Sequence, residues 1–444
     1  MNDLQIALAL GLMTSILGVL ALRFPLAAWV ALAPLGVAMS ELSSGAAAAS
    51  GAIAAVAIVA PSFPTKTLRP LLMLATVISA ASWGAAAAGV ARLWPDGEAG
   101  WSVLAMPLFA VVSVLPLRIA GAPRTATNPL ARSQEQWLPV VHIARLGSDL
   151  FVTAAMGVSS GVVTALVLSW LRGVWSVGTI VAMATAGLLL IAILAFGLVS
   201  YRRAKLRTAE LRTLRVAGVV CDGAPPKDEH DGFWPLHSSE YADVPRTIAR
   251  YRDSVSAAVV AGARVVVLPE VAVRVSAASR DAWVRAACEW AAQHGVVIVT
   301  PYFDEEQPIN ELVIVGPSGV LARYEKQHGA PIEPKRRERM PPGHATTDEV
   351  SISTVICVDL DYGDLVPSVA RRGGLLAVPA NDWPGYETLH HRSAVWAAVM
   401  SGTSVLRATG HGITAAYDPA GHVIAQKSSL SERGPVVLVT DVPI

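Results

Sequence analysis

Cysteine and charge are both scarce in this chain. The three cysteines among 444 residues, Cys221, Cys288 and Cys357, stand at unrelated spacings, which argues against a disulfide framework or a zinc-type thiolate cluster. Asp, Glu, Lys and Arg make up 16% of the chain against 53% hydrophobic residues, too apolar a balance for an ordinary soluble enzyme. A formal net charge of +1 gives no electrostatic reason to expect a nucleic-acid partner.

The shortage of charge is local. Residues 1–200 hold 15 of the 69 charged side chains, and the other 54 follow from Tyr201 onward. Crossing the hydrocarbon core takes roughly 20 apolar residues as a helix, and about seven segments approach that length. They run 4–21, 25–40, 45–61, 69–91, 101–120, 150–171 and 176–200, the second and third being short. Breaker clusters such as PSFPTK, WPDGEAG and GAPRTATNP separate several of them. Met1-Asn2-Asp3 lacks the basic flank of a signal peptide, so the first helix is expected to be retained. Runs of small residues such as SSGAAAASGAIAA permit helices to pack closely in lipid. The expected organisation is a transmembrane helical domain over 1–200, a basic juxtamembrane linker over 201–213 and an α/β domain over 214–444.

In that last region apolar strands alternate with amphipathic helices. Residues 244–262 place Ile248, Tyr251, Val255 and Val259 on one face, as a helix covering a sheet does. ARVVVLPE reads as a buried strand ending at Pro269 and Glu270, and GVVIVTPYF as another. Hairpins are expected to turn at Gly316-Pro317-Ser318-Gly319 and at Asp418-Pro419-Ala420-Gly421.

Polar residues at strand ends are the candidates for chemistry. Glu270 follows VVVLP, Lys326 lies in YEKQH at the end of the first hairpin, and Cys357 closes STVIC. Taken singly each has an ordinary explanation: a surface charge, a solvated hairpin end, and a core thiol, since free cysteine is among the most buried residue types. Taken together, in this order and these strand contexts, they resemble the Glu-Lys-Cys triad of the nitrilase (carbon-nitrogen hydrolase) superfamily, over roughly residues 214–444. LPE, YEKQH, ICVD and PANDW carry that likeness. A multi-helix membrane region ahead of such a domain is similar to the apolipoprotein N-acyltransferases, as is VLRATGHGITAAYDPAGHVIA at 405–425.

The resemblance implies a multi-span membrane domain followed by a nitrilase-like αββα sandwich. Cys357 is then the nucleophile, Glu270 the general base, and Lys326 the oxyanion stabiliser together with the backbone N–H of Val358. A carboxylate partly removed from water is expected to have the basicity to deprotonate the thiol. The implied reaction moves an acyl chain from a phospholipid donor through a Cys357 thioester to the N-terminal amine of a lipoprotein diacylglyceryl-cysteine. No cofactor or metal is required, because such a triad supplies its own nucleophile and charge stabiliser. His390-His391 invites a metal reading, but adjacent helical residues point in different directions.

Glu333, Asp359 and His328 match accessory positions of the family, with an ordinary loop role open for each. Trp383, Pro384 and Tyr386 are the candidates for lining an acyl pocket. Departures are visible too: Val358 replaces an aromatic residue, NDWPGYE replaces an NDAWFGD-type loop, and Ala397 and Met400 stand where an arginine and a glutamate are expected. VVLVTDVPI reads as a final strand where the family returns to the membrane. Two other functions stay open: a membrane-tethered amidase in which water resolves the thioester, and an inactive nitrilase-like binding module. The resemblance places the catalytic domain on the outer face of the plasma membrane. The charge count places it in the cytoplasm, since Arg23, Lys66, Arg69, Arg124, Arg132 and Arg145 fall in loops on its side and little more than Arg92 and Arg172 on the other.

Overall fold

A computed structural model describes residues 2–59, 69–95, 98–119, 122, 124, 128–221, 243–329, 341–362, 365–370, 372–382, 387–430 and 434–444. The chain divides into two compact units, the first ending at Arg202 and the second running Arg203–Ile444.

Among the described residues, the secondary structure of the first unit is all helical. Five of its helices are long and apolar enough to cross a membrane: Asp3–Ala21, Met73–Leu93, Ala99–Ile119, Leu150–Arg172 and Val177–Glu210. Two shorter apolar helices, Pro25–Glu41 and Ser44–Ile58, account for the second and third of the seven expected segments. Small residues set the helix spacing. A Cβ on Gly11 would meet the Ser50 carbonyl oxygen at 2.9 Å, and one on Gly51 would meet that of Trp83 at 2.8 Å. Ser50 Oγ donates to the Ala7 carbonyl at 2.8 Å, so close approach also satisfies a buried hydroxyl. Between the long helices, Arg118 donates to Asp149 at 3.0 Å, and Asn128 Nδ2 donates to the same carboxylate at 2.8 Å.

The stretch expected as a linker is mostly helix, because RRAKLRTAE consists largely of good helix formers and carries Val177–Glu210 onward. Strand β1 (Thr213–Val220) then opens the second unit.

That unit contains two sheets. One has the order β13 (Val436–Pro443), β1, β2 (Val265–Val267), β4 (Val297–Asp304), β5 (Ile309–Gly316) and β6 (Gly319–Glu325), with β3 (Arg274–Val275) paired to β4. The other has the order β12 (Val423–Ser428), β11 (Ile413–Tyr417), β10 (Ser404–Gly410), β9 (Leu375–Asn381), β8 (Ser351–Thr354) and β7 (Gly343–Thr346). At the heart of each sheet the strands are parallel: β1, β2 and β4 in the first, β8, β9 and β10 in the second.

Period-two alternation sorts the side chains of β1 between two layers. Ala217 and Val219 join the core beneath helices Val244–Val260 and Ala277–His294, where Tyr251, Trp283 and Trp290 pack edge to face. Gly218 faces the second sheet so closely that a Cβ there would meet Thr414 and Ala408. The other sheet is covered by helix Ser393–Ser401, which buries Trp396. The layering is therefore the expected αββα sandwich.

Both hairpins form as expected. Gly316 pairs with Gly319 across Pro317-Ser318. Asp418 Oδ1 accepts from the amides of Ala420 and His422 at 2.9 and 2.8 Å, with Gly421 at φ 95°.

Candidate active site

The carboxyl ends of the parallel strands point their loops toward one place, where open α/β sheets collect functional groups. Glu270 comes three residues after β2, Cys357 three residues after β8, and Asn381 closes β9. Lys326 arrives from the antiparallel hairpin, directly after β6.

Glu270 is buried at 1% exposure and Lys326 at 7%, and they pair at 2.8 Å between Nζ and Oε1. Burial of two charges is sustainable only with pairing and further hydrogen bonds. Glu270 has both: Asn310 Nδ2 donates to Oε1 at 2.8 Å and the Asn381 amide donates to Oε2 at 3.0 Å. In return Asn381 Nδ2 donates to the Glu270 carbonyl at 2.5 Å, which stitches the two sheets together at the site.

Cys357 opens a short 3-10 turn, Cys357–Asp361, and is itself at φ 50°. Val271, directly after Glu270, is at φ 50° and His411, directly after β10, at φ 52°. These are the positive-φ non-glycine residues among the described ones, and all three adjoin the strand ends of the site. Such backbone costs on the order of 1–3 kcal/mol per residue and persists where surrounding contacts over-determine it. Cys357 Sγ lies 3.5 Å from the Asn381 carbonyl. Burial first, and then the negative charge of Glu270, push its thiol well above the ordinary range, with Lys326 and Arg407 opposing. The resting thiol is thus protonated, and its proton must leave as it attacks.

Asp359, expected only as an accessory or loop carboxylate, is a fully buried positioning group. Its oxygens accept from Tyr324 Oη at 2.7 Å, the Gln327 amide at 3.2 Å and the His328 amide at 2.7 Å. Gln327 and His328 are the residues after Lys326, so Asp359 ties the turn of Cys357 to the loop of Lys326. His328 Nδ1 lies 3.0 Å from the same carboxylate, and its ring stacks on Tyr362 at 3.6 Å between centroids. Val358 occupies the second position of the turn, partly buried. Glu333, Trp383, Pro384 and Tyr386 lie outside the described residues.

Behind the turn lies a second buried charge cluster. Arg407, fully buried on β10, donates to both oxygens of Asp382 at 3.0 and 2.7 Å and to Thr409 Oγ1 at 2.9 Å. His390 Nδ1 lies 2.7 Å from Asp382, and its Nε2 lies 3.6 Å from Asp361 in the nucleophile's turn. Burial alone would raise the Asp382 carboxyl, but Arg407 and His390 overcome it and hold it down to about 2. His391 addresses a different neighbour, the Glu387 carbonyl, at 3.3 Å.

The carbon-nitrogen hydrolase family model matches residues 236–444. The match covers most of the second unit. Among solved structures, Nit3 of Saccharomyces cerevisiae, a member of branch 10 of the nitrilase superfamily, is similar at 17% identity, with 52% of this chain and 90% of that one covered and a TM-score of 0.41. An amidase from Nesterenkonia sp. is similar at 19% identity, with 52% and 90% covered and a TM-score of 0.42. A mutant of the amidase from Nesterenkonia sp. AN1 in complex with butyramide is similar at 20%, with 52% and 91% covered and a TM-score of 0.43. No curated protein matches the chain.

Within this unit, sequence reading missed Asn310, Tyr324, Asn381, Asp382, His390 and Arg407 as parts of the site. For Arg407 a signal was present: a guanidinium inside the apolar strand VLRAT must be paired if that strand is buried. Its partner Asp382 sat unremarked inside PANDW.

Proposed function

We propose that the chain is a membrane-embedded acyltransferase working through a thioester on Cys357. The observation that carries the reading is the buried Glu270–Lys326 pair, at 2.8 Å, beside a buried cysteine held at positive φ. As Sγ attacks an ester carbonyl, Glu270 takes the thiol proton and Lys326 with the Val358 N–H stabilises the oxyanion. The attack forms the S–C bond; collapse of the oxyanion re-forms the carbonyl and breaks the ester C–O bond, and Glu270 returns the proton to the departing alcohol. An amine then attacks the thioester, Glu270 accepts its proton, the S–C bond breaks, and an amide is formed.

The apolar first unit supports a phospholipid as acyl donor, because a chain carrying helices of membrane-spanning length meets lipid esters at high local concentration. The likeness of residues 405–425 to the apolipoprotein N-acyltransferases supports a lipoprotein N-terminal amine as acceptor, with the plasma membrane as the location. The family match favours a second reading, an amidase in which water resolves the thioester. Intact-protein mass spectrometry after incubation with phospholipid tests the first reading beside a Cys357→Ala variant. A hydroxylamine-sensitive acyl adduct found only with Cys357 is expected. No adduct on a cysteine that still reacts with a small thiol reagent would shift the assignment to the amidase.

A further inference from the structure

Asn310 holds the Glu270–Lys326 pair with a side chain whose hydrogen bonding is half complete among the described residues. Its Nδ2 donates to Glu270 Oε1 at 2.8 Å, beside the Lys326 ammonium on the same oxygen. That bond fixes which way the amide faces, since a carboxylate oxygen accepts and only the NH₂ can donate. The backbone of Asn310 contributes as well, its carbonyl accepting from the Lys326 amide at 2.9 Å. One residue thereby positions both the base and the ammonium. The remaining amide atom, Oδ1, is buried and has no hydrogen-bond partner among the described residues. A buried acceptor left open beside a catalytic pair needs a donor from elsewhere.

We propose that Asn310 Oδ1 is a specificity element that accepts an N–H from the nitrogen entering or leaving the acyl carbon. The inference rests on the thioester reading of the site. The nitrogen exchanges its proton with Glu270, and Oδ1 belongs to the same amide that holds the Glu270 carboxylate. An ester oxygen carries no hydrogen and gains nothing from such an acceptor. Asn310 therefore favours amides over esters of the same acyl group, and amines over alcohols as acceptors.

The test uses the full chain in detergent with para-nitrophenyl acetate and para-nitroacetanilide, which differ in having O or N–H on the acyl carbon. Release of nitrophenol or nitroaniline is followed alongside the acetyl adduct on Cys357. In Asn310→Leu, which is close in volume, anilide cleavage is expected to fall about tenfold further than ester cleavage, the size of a lost hydrogen bond at the upper end of its range. An equal fall for both compounds would overturn the proposal and leave Asn310 only positioning Glu270; unchanged rates would overturn it too. Asn310→Ser, smaller than the native side chain, replaces Asn310→Leu if the latter does not fold, and is read the same way. Wild-type protein that acetylates Cys357 with neither compound would sink the thioester reading and this inference with it, an outcome distinct from a normal adduct with an unchanged anilide-to-ester ratio.

Discussion

Replacing Arg407 by methionine should destabilise the hydrolase domain more than its distance from the reacting atoms suggests. The guanidinium is fully buried, donates to both oxygens of Asp382 at 3.0 and 2.7 Å and to Thr409 Oγ1 at 2.9 Å, and lies 2.8 Å from His390 Nδ1. Methionine restores much of the volume but leaves the Asp382 carboxylate without its guanidinium partner. Breaking a buried pair from one side costs about 3–5 kcal/mol. At about 2–4 °C per kcal/mol for a domain of this size, the melting temperature should drop by roughly 6–20 °C. Asp382→Asn should do similar damage from the other side. The double variant, in which no charge of the pair survives, should recover part of the loss, since the two effects share one interaction. A thermal melt of the full chain in detergent measures this, read by tryptophan fluorescence. Single variants melting within about 2 °C of wild type would refute the claim that this buried pair stabilises the fold, because a cost of 3–5 kcal/mol cannot hide in so small a shift.

Other consequences can be measured on the same preparation. Lys326→Ala should lower turnover by about 10²- to 10³-fold, the usual loss on removing an oxyanion donor, while Cys357 remains labelled by thiol reagents; turnover within about threefold of wild type would remove Lys326 from that role. Glu270→Gln removes a charge that raises the Cys357 thiol, so the pH at which iodoacetamide labels it should fall, whereas Lys326→Met should move it up. Shifts in the same direction for both would contradict the electrostatic assignment. Burial depresses His411 to about 4 in the folded chain. Its unfolded form binds a proton below about 6.5, so its contribution to stability is full above that pH, declines on acidification, and levels off below about 4. His411→Asn, which tolerates φ 52°, should flatten the melting temperature between pH 7 and pH 4.5, and an unchanged slope would exclude His411 as the source. A dual reporter fused at Ile444 decides sidedness: a cytoplasmic signal would sink acylation on the outer face.

Much of the architecture is written in local pattern. Helices of membrane-crossing length announce themselves by unbroken apolar runs, and the strands, helices and hairpins of the second half by period, glycine and proline. Glu270, Lys326 and Cys357 each follow a strand signal, but taken singly each had an ordinary explanation, and only the resemblance to the nitrilase triad joined them. The number of long helices was less legible. Segments 25–40 and 45–61 are as apolar as their neighbours but fold as helices too short to be counted with the long ones, and only their measured length separates them.

What holds the triad was decided by tertiary structure alone. Asn310 and Glu270 are 40 residues apart, Asn381 and Glu270 are 111 apart, and Arg407 lies 25 from Asp382, so nothing in local spacing joins them. Asp359 reads as a loop acid in ICVD, yet burial between Tyr324, Gln327 and His328 makes it the tie between two loops. The pairing requirement of buried polar groups is general, but the identity of each partner is settled only when the two sheets meet. Sequence by itself determined which polar groups stand at the strand ends and that nearly half of the chain is built for an apolar environment. Their poise, a protonated thiol on strained backbone beside a compensated carboxylate, comes from desolvation and contacts that exist only in the folded sandwich.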